Sequence, residues 1–387
     1  MSDGIPLSVP HMEGNEWAYV KECLDTEWVS TAGRFVRKFE EDIRAYTGAK
    51  HAVACVNGTS ALHLSLKIAG VRAGDEVLVP TLTFIATVNA AAYLGAVPVF
   101  LDCDEFYGLD KEKTRLFLET ETVVRSGFTF NKRTGRRISA IIPVHVFGNA
   151  VDLEGLVPIC RERNIKVIED ATESLGTVYA RGAFAGRHTG TIGEFGCLSF
   201  NGNKIITTGG GGMILTNDEA SAESARYLTT QAKDDEVRYI HNDIGYNFRL
   251  TNIQAALGVA QLEKLPAYLE IKKRQYDTYK SALDAVPGLH LAETPGFARN
   301  NHWMYCLQID KAIYGKGRDE VMDDLAARHI QTRPVWYLNH LQKPYKDCQA
   351  YKIDHALALW EKTLNVPCSV GLSPRDIEKV IGFLRHA

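Results

Sequence analysis

The sequence has no surplus of positive charge: 44 Lys and Arg stand against 47 Asp and Glu, a formal net charge of −3. Nucleic acid and anionic membrane surfaces are therefore excluded as expected partners, because no basic excess exists to displace their counterions. Cysteine is sparse and dispersed. The eight residues, Cys23, Cys55, Cys103, Cys160, Cys197, Cys306, Cys348 and Cys368, form no Cys-x-x-Cys pair, which removes local zinc-knuckle and thioredoxin-like motifs. Scattered free thiols suit a reducing cytoplasm. The opening MSDGIPLSVPHMEGNEW lacks the basic-then-apolar order of an export signal. Internal repeats and low-complexity tracts are missing too, which sets aside solenoids and disordered linkers.

What is present describes a soluble enzyme-sized protein: 387 residues, 45% hydrophobic, 24% charged, with 32 glycines. One uncharged run, Val77 to Leu101, is long enough to cross a bilayer. Pro80, Asn89, Gly95 and Pro98 interrupt it, and it divides into a strand (Glu76–Pro80), an Ala-rich helix (Leu82–Leu94) and a second strand (Val97–Asp102). That is a βαβ crossover, whose sheet is covered on both faces and tolerates unbroken apolar strands. The rhythm recurs in the strands His51–Val56, Ser139–His145, Lys166–Asp170, Gly196–Phe200 and Gly212–Thr216, with helices at Thr59–Ala69 and Leu153–Arg163. Such alternation predicts a largely parallel α/β sheet. Beyond about residue 250 the texture changes to helix over Thr251–Ala285, interrupted near Pro266. Short strands (Trp303–Ile309) and helices (Arg318–Arg328, Asp376–Arg385) follow. We expect a large α/β domain over residues 1–254 and a smaller α+β domain over 255–387, as the length requires. The basic stretch Arg125–Arg137 reads as an exposed, solvated hairpin.

Four signals fall at strand ends, where open α/β sheets place ligands. Strand 51–56 ends in Asn57-Gly58-Thr59-Ser60 and enters a helix, offering backbone N–H groups and two hydroxyls to an anion. Simple capping by Thr59 or Ser60 would explain the same residues. Strand 166–170 ends in Glu169-Asp170, with Glu173 in capping-box spacing. Strand 196–200 runs through Asn201-Gly202-Asn203 to Lys204, followed by apolar Ile205 and Ile206. A lysine whose surroundings are dry becomes a usable amine nucleophile. The glycines at 209–212 follow Lys204 instead of preceding it, so they make no P-loop. Asn247 and Arg249, in Gly245-Tyr246-Asn247-Phe248-Arg249, are anion contacts or turn residues. One ligand unites these signals, pyridoxal 5′-phosphate. It needs a lysine for its aldehyde, a carboxylate for its ring nitrogen, a phosphate cup and an aromatic against the ring. Lys204, Asp170, Thr59 and Ser60 with Ser199, and Phe84 would meet those needs.

These motifs resemble the DegT-type nucleotide-sugar aminotransferases of the aspartate-aminotransferase fold. The resemblance rests on Glu27-Trp28-Val29-Ser30-Thr31-Ala32-Gly33 with Phe39-Glu40, and on NGTSAL (57–62), PTLTFIAT (80–87) and PVHVFG (143–148). It continues through EDATESLG (169–176), SFNGNK (199–204), GYNFRLTNIQAALG (245–258), and Trp336-Tyr337 with His340-Leu341. It implies fold type I of the pyridoxal-phosphate enzymes, with a mostly parallel sheet of seven strands between helices. It also implies that Lys204 carries the cofactor and moves protons, and that Asp170 binds the ring nitrogen. Gly58, Thr59, Ser60 and Ser199 would surround the phosphate, Phe84 the ring, and Glu173 would replace the family's usual Gln near the ring hydroxyl. Asn247 would arrive from the neighbouring subunit of a homodimer with composite sites. His145 would orient Asp170. Trp28, Ser30, Tyr337 and His340 are the candidates for the nucleotide-sugar pocket, and no metal is expected. Gly210 departs from the Glu that many members carry in that loop.

The implied reaction passes an amino group from L-glutamate to a keto-sugar nucleotide, with the cofactor alternating between its pyridoxal and pyridoxamine forms. The SFNGNKIITTGGGG string and the basic hairpin look most like members that aminate C4 of a UDP-linked 4-keto-6-deoxy-N-acetylhexosamine, for bacterial glycan synthesis. GDP-perosamine formation and C3 amination are the alternatives. A pyridoxamine-phosphate-dependent sugar dehydratase would carry His in place of Lys204. A non-catalytic regulator would not need the pair Lys204 and Asp170, and an NAD-dependent dehydrogenase needs Gly-x-Gly-x-x-Gly, which NGTSAL does not supply.

Overall fold

A computed structural model describes residues 4–235 and 237–386. Its central sheet contains β1 (His51–Cys55), β2 (Glu76–Pro80), β3 (Val97–Leu101), β4 (Arg137–Ile141), β5 (Lys166–Asp170), β6 (Phe195–Ser199) and β7 (Gly212–Thr216). Their order is β1-β7-β6-β5-β4-β2-β3, with Ala350–Tyr351 added outside β3. β7 runs antiparallel to both neighbours, while the pairs β6–β5, β5–β4, β4–β2 and β2–β3 are parallel. The fold is therefore the expected one, a mainly parallel sheet between helices. Every residue of EVLVP in β2 is buried, as a strand covered on both faces requires. Among the described residues, no helix is long and apolar enough to cross a membrane.

A second, antiparallel sheet joins Leu289–Leu291, Tyr305–Ile309, Thr363–Val366 and Arg333–Pro334 in that order. The helix Asn252–Leu283 links the two sheets, packing Ala255 and Val259 near Phe39 and Leu198, and Tyr276 and Tyr279 near Tyr305. A Thr251–Gln254 capping box starts it. The expected interruption at Pro266 is absent, and the helix continues through it. Proline costs one backbone hydrogen bond there; burial of Leu265 and Tyr268 on either side holds the helix together. We propose that the two sheets centre a large and a small unit divided near residue 254, with this helix shared between them.

Local differences from expectation have local causes. The helix expected from Leu82 begins only at Ile85, because Thr81–Phe84 form an extended turn that ends with Phe84 at φ −64°, ψ 138°. The strand expected from Trp303 begins at Tyr305, behind a turn in which His302 has φ 51°. The basic hairpin is more than a solvated excursion. Its strand Thr122–Arg125 pairs with Phe128–Asn131, which pairs in turn with β4, and Arg137 lies over the Phe128 ring at 4.5 Å.

The C-terminal end of β5 is fixed by a buried carboxylate. Glu169 accepts from the N–H groups of Gly190 (2.8 Å), Ile192 (2.6 Å) and Gly193 (2.7 Å), and pairs with His145 Nε2 at 3.0 Å. His145 Nδ1 accepts the N–H of Val151, which puts the ring proton on Nε2, facing Glu169. His145 thus orients Glu169, and its link to Asp170 runs through the backbone, N–H to carbonyl at 3.0 Å. Burial pushes the Glu169 carboxyl up, but His145 and the backbone donors outweigh it and hold the pKa below the usual value. We expect Glu169→Ala to cost about 3 kcal/mol or more in chemical denaturation, since it leaves the His145 Nε2 proton and three backbone N–H groups without their acceptor in the interior, at about 1–3 kcal/mol for each donor left unsatisfied. Because the folded-state pKa is depressed, this contribution is present above the unfolded carboxylate pKa and fades as pH falls through the lower folded value. An acid limb of the stability curve unchanged by Glu169→Gln would contradict that assignment.

Candidate active site

At the C-terminal ends of β1, β5 and β6 lies a cleft of about 290 Å³. Among its walls are Gly58, Thr59, Phe84, Asp170, Glu173, Ser199 and Lys204, seven of the residues singled out from sequence. Lys204 and Asp170 open onto the same space.

The helix Gly58–Ile68 starts at this cleft because Asn57, in extended conformation, caps it by accepting the Ser60 N–H at 2.8 Å. Capping therefore belongs to Asn57, not to Thr59 or Ser60. The Gly58 and Thr59 N–H groups precede the first intrahelical bond and carry the positive end of the helix dipole. Gly58 is required by packing, since a Cβ there would meet the Ser199 Cβ at 2.9 Å and Thr172 Cγ2 at 3.0 Å. This draws the Ser199 hydroxyl against the helix start. Ser60 is buried and does not line the cleft.

Asp170 is buried, and its two oxygens are separately held: Oδ2 by the Thr87 hydroxyl at 2.6 Å, Oδ1 by the Thr172 N–H at 3.1 Å. Thr87 in turn lies 3.3 Å from the Thr83 hydroxyl. Opposite, Lys204 Nζ lies 3.7 Å from Glu173 Oε1 and 4.2 Å from the centre of the Trp303 ring. Glu173 Oε2 accepts the Phe147 N–H at 2.8 Å. Phe147 donates from a left-handed conformation (φ 56°, ψ 20°) that few non-glycine residues adopt. Its ring stacks on Trp336 at 4.7 Å, an anchoring contact for the strained residue. Burial is the main force on the Glu173 carboxyl and pushes its pKa up to about 7, against the opposing pull of Lys204.

The remaining candidates lie elsewhere. His340 is bound by Nδ1 to the Thr81 hydroxyl at 2.6 Å, and Tyr337 packs edge-on against Trp360. Trp336, one residue before Tyr337, is the aromatic that reaches the cleft. Trp28 is 59% exposed, and its loop is pinned by Asn252, whose Nδ2 donates to the Trp28 carbonyl and whose N–H donates to the Ser30 carbonyl. Asn247 is exposed and outside the cleft lining. Arg249 makes an ion pair with Glu40 at 2.6 Å, which joins two of the sequence motifs. Gly210 is tied down through its carbonyl by Gln254 and by the Thr208 hydroxyl. Sequence reasoning missed Thr87, Asn57, Trp303 and Trp336. Thr87 belongs to the PTLTFIAT string, which was its available signal; Trp303 has none, since it meets Lys204 only through the fold.

The donor set fits pyridoxal 5′-phosphate: an amine, a buried carboxylate held as an acceptor, and a helix start with hydroxyls, around one small cleft. A family model described as the DegT/DnrJ/EryC1/StrS aminotransferase family matches residues 10–385. The chain is 39% identical to a GDP-perosamine synthase of Caulobacter vibrioides over 385 residues, covering 98% of this chain and 97% of that protein. It is 36% identical to a GDP-perosamine synthase of Escherichia coli O157:H7, covering 96% and 95%. Among solved structures, DesI, crystallised in the presence of its TDP-sugar product, superposes with a TM-score of 0.87 at 27% identity, covering 100% of this chain and 93% of that one. Family match, fold and cleft agree, and this chain belongs to the DegT/DnrJ/EryC1/StrS aminotransferases, enzymes that use pyridoxal 5′-phosphate.

Proposed function

We propose that this sugar aminotransferase takes an amino group from L-glutamate and delivers it to C4 of a 4-keto-6-deoxyhexose carried on a nucleotide. The observation that carries this reading is the meeting of Lys204, Asp170 and the Gly58–Thr59 helix start around one cleft. When bound, the cofactor supplies an electron sink beside the carbon that gains or loses nitrogen. Lys204 Nζ would hold it and then move the proton at that carbon. Asp170 would keep the ring nitrogen protonated, its own position set by Thr87 and the Thr172 N–H. Thr59, Ser199 and the two free N–H groups would bind the phosphate, and Phe84 would cover the ring.

A cleft of about 290 Å³ is at the small end for a ligand site. The nucleotide would extend beyond it, where Trp28, Ser30, Tyr337 and His340 are candidates. The likeness to GDP-perosamine synthases favours a GDP-linked sugar, while the SFNGNKIITTGGGG string favours a UDP-linked N-acetylhexosamine. Both share C4 amination. We further propose a homodimer with composite sites, because Val237, Tyr239 and Ile244 leave an exposed apolar surface beside Asn247. With eight free cysteines, the reaction suits the cytoplasm.

A glutamate-dependent assay over GDP- and UDP-linked 4-keto-6-deoxy sugars, with the amine position read by NMR, tests the reading. Lys204→Ala is expected to abolish turnover and the visible absorbance of the lysine-bound cofactor together. Turnover without that absorbance would refute it. Mixing Lys204→Ala with Asn247→Ala chains is expected to restore activity above either parent, since a mixed dimer regains one intact site. Activity no higher than the parents' average would place Asn247 outside the partner's site.

A further inference from the structure

The Lys204 amine has two close neighbours, Glu173 Oε1 at 3.7 Å and the centre of the Trp303 indole ring at 4.2 Å. An ammonium has no lone pair and cannot bond to an aldehyde carbon. Capture of the cofactor needs the neutral amine, and a proton acceptor in contact with Lys204 would supply it. Among the described residues the carboxylate within 4 Å of the Lys204 amine is that of Glu173, and Asp170 does not reach it.

Glu173 is built differently. Oε2 is anchored by the Phe147 N–H, which leaves Oε1 as the oxygen directed at the amine. Its backbone is fixed as well, since Asn301 Nδ2 donates to the Glu173 carbonyl at 2.8 Å. The same segment positions the indole: Asn301 Oδ1 accepts the Trp303 N–H at 3.0 Å, and Trp303 Nε1 donates to the Asn203 carbonyl at 2.7 Å. Asn301 is fully buried. One turn from the distant Asn301–Trp303 segment thus sets both the carboxyl and the indole beside Lys204. The groups that act electrostatically with Glu173 are Lys204, Asp170 and the Cys306 thiol, which burial pushes up and keeps neutral.

We propose that Glu173 is the base that takes a proton from the Lys204 ammonium and so frees the amine to capture the cofactor. This rests on the reading of the cleft as the cofactor site. The ammonium gives one of its three protons to Glu173 Oε1. The nitrogen lone pair bonds to the aldehyde carbon, the carbon–oxygen bond breaks, and the oxygen leaves as water with the other two protons. Glu173 then holds the first proton inside the cleft. A carboxyl with its pKa near 7 can accept and return a proton at neutral pH.

The test follows loading of the full chain, freed of cofactor, by visible absorbance after mixing with pyridoxal 5′-phosphate. For the unaltered protein the rate is expected to rise with pH through a step near 7, as Glu173 becomes available as a base. Glu173→Gln keeps an acceptor for the Phe147 N–H, and should lose that step and load about 100-fold more slowly at neutral pH. Its affinity for pyridoxine 5′-phosphate, which has no aldehyde, should stay within about 3-fold, read by tryptophan fluorescence; that factor is below 1 kcal/mol. Loading by Glu173→Gln at the original rate with the same step would overturn the proposal and leave the cofactor reading standing. Loss of pyridoxine 5′-phosphate affinity would overturn it in favour of a structural role. Absence of any absorbance in the unaltered protein would overturn the cofactor reading and this inference together.

Discussion

Two neighbouring carboxylates, Glu169 and Asp170, end β5 in a covered sheet, and neither can be buried there unless donors are aimed at it. The rest of the site is arranged around that requirement. Adjacent side chains on a strand point to opposite faces, so the two acids draw on different donors. Glu169 gathers His145 and the Gly190–Gly193 turn, which fixes the backbone feeding into β6. Asp170 gathers Thr87 and Thr172, which fixes the start of the helix Ile85–Ala92 beside the cleft. One charge is used for structure, and the other opens onto the cleft.

This division was partly visible in the sequence. Strands with strong apolar runs, such as EVLVP and KVIED, could be located within a residue or two, and with them the strand ends that carry Asp170 and lead to Lys204. Strand alternation also held the information that a histidine bonded to Glu169 could not equally serve Asp170. The missing part depends on distance along the chain. Trp303 stands about a hundred positions from Lys204, and its place is set by Asn301, which bonds back to Glu173 and Leu175. No local pattern encodes such a contact. Trp336 lines the cleft and its neighbour Tyr337 does not, because an extended segment sends neighbours to opposite sides and the sequence does not say which side faces in.

Motifs that look functional can also be structural, and the Arg249–Glu40 pair illustrates how burial decides. Both side chains are mostly buried, 17% and 12% exposed, and Glu40 accepts the Ala54 N–H as well. An arginine so engaged is compensated already, and removing its carboxylate partner would leave a buried charge unpaired. The pair connects the helix Arg34–Thr47 to the segment following Phe248, behind β1. Its service to the cleft is indirect: it holds β1, whose end presents the Gly58–Thr59 helix start.

The strained backbone at Phe147 is the remaining constraint, and its cost is intelligible from what it achieves. A non-glycine residue in the left-handed region costs about 1–3 kcal/mol when held there by its surroundings. The surroundings here are the Trp336 stack on one side and Gly148 on the other, where a Cβ would collide with Asn301 Oδ1 at 1.9 Å. Without that conformation the Phe147 N–H would turn away from Glu173, and a carboxyl deep in the protein would lose its one backbone donor. Both Glu173 oxygens could then swing toward Lys204, replacing a directed contact with a mobile one. The strain therefore goes into fixing which oxygen faces the amine, and Asn301, touching Gly148, Glu173 and Trp303 at once, is the residue through which the fold imposes it.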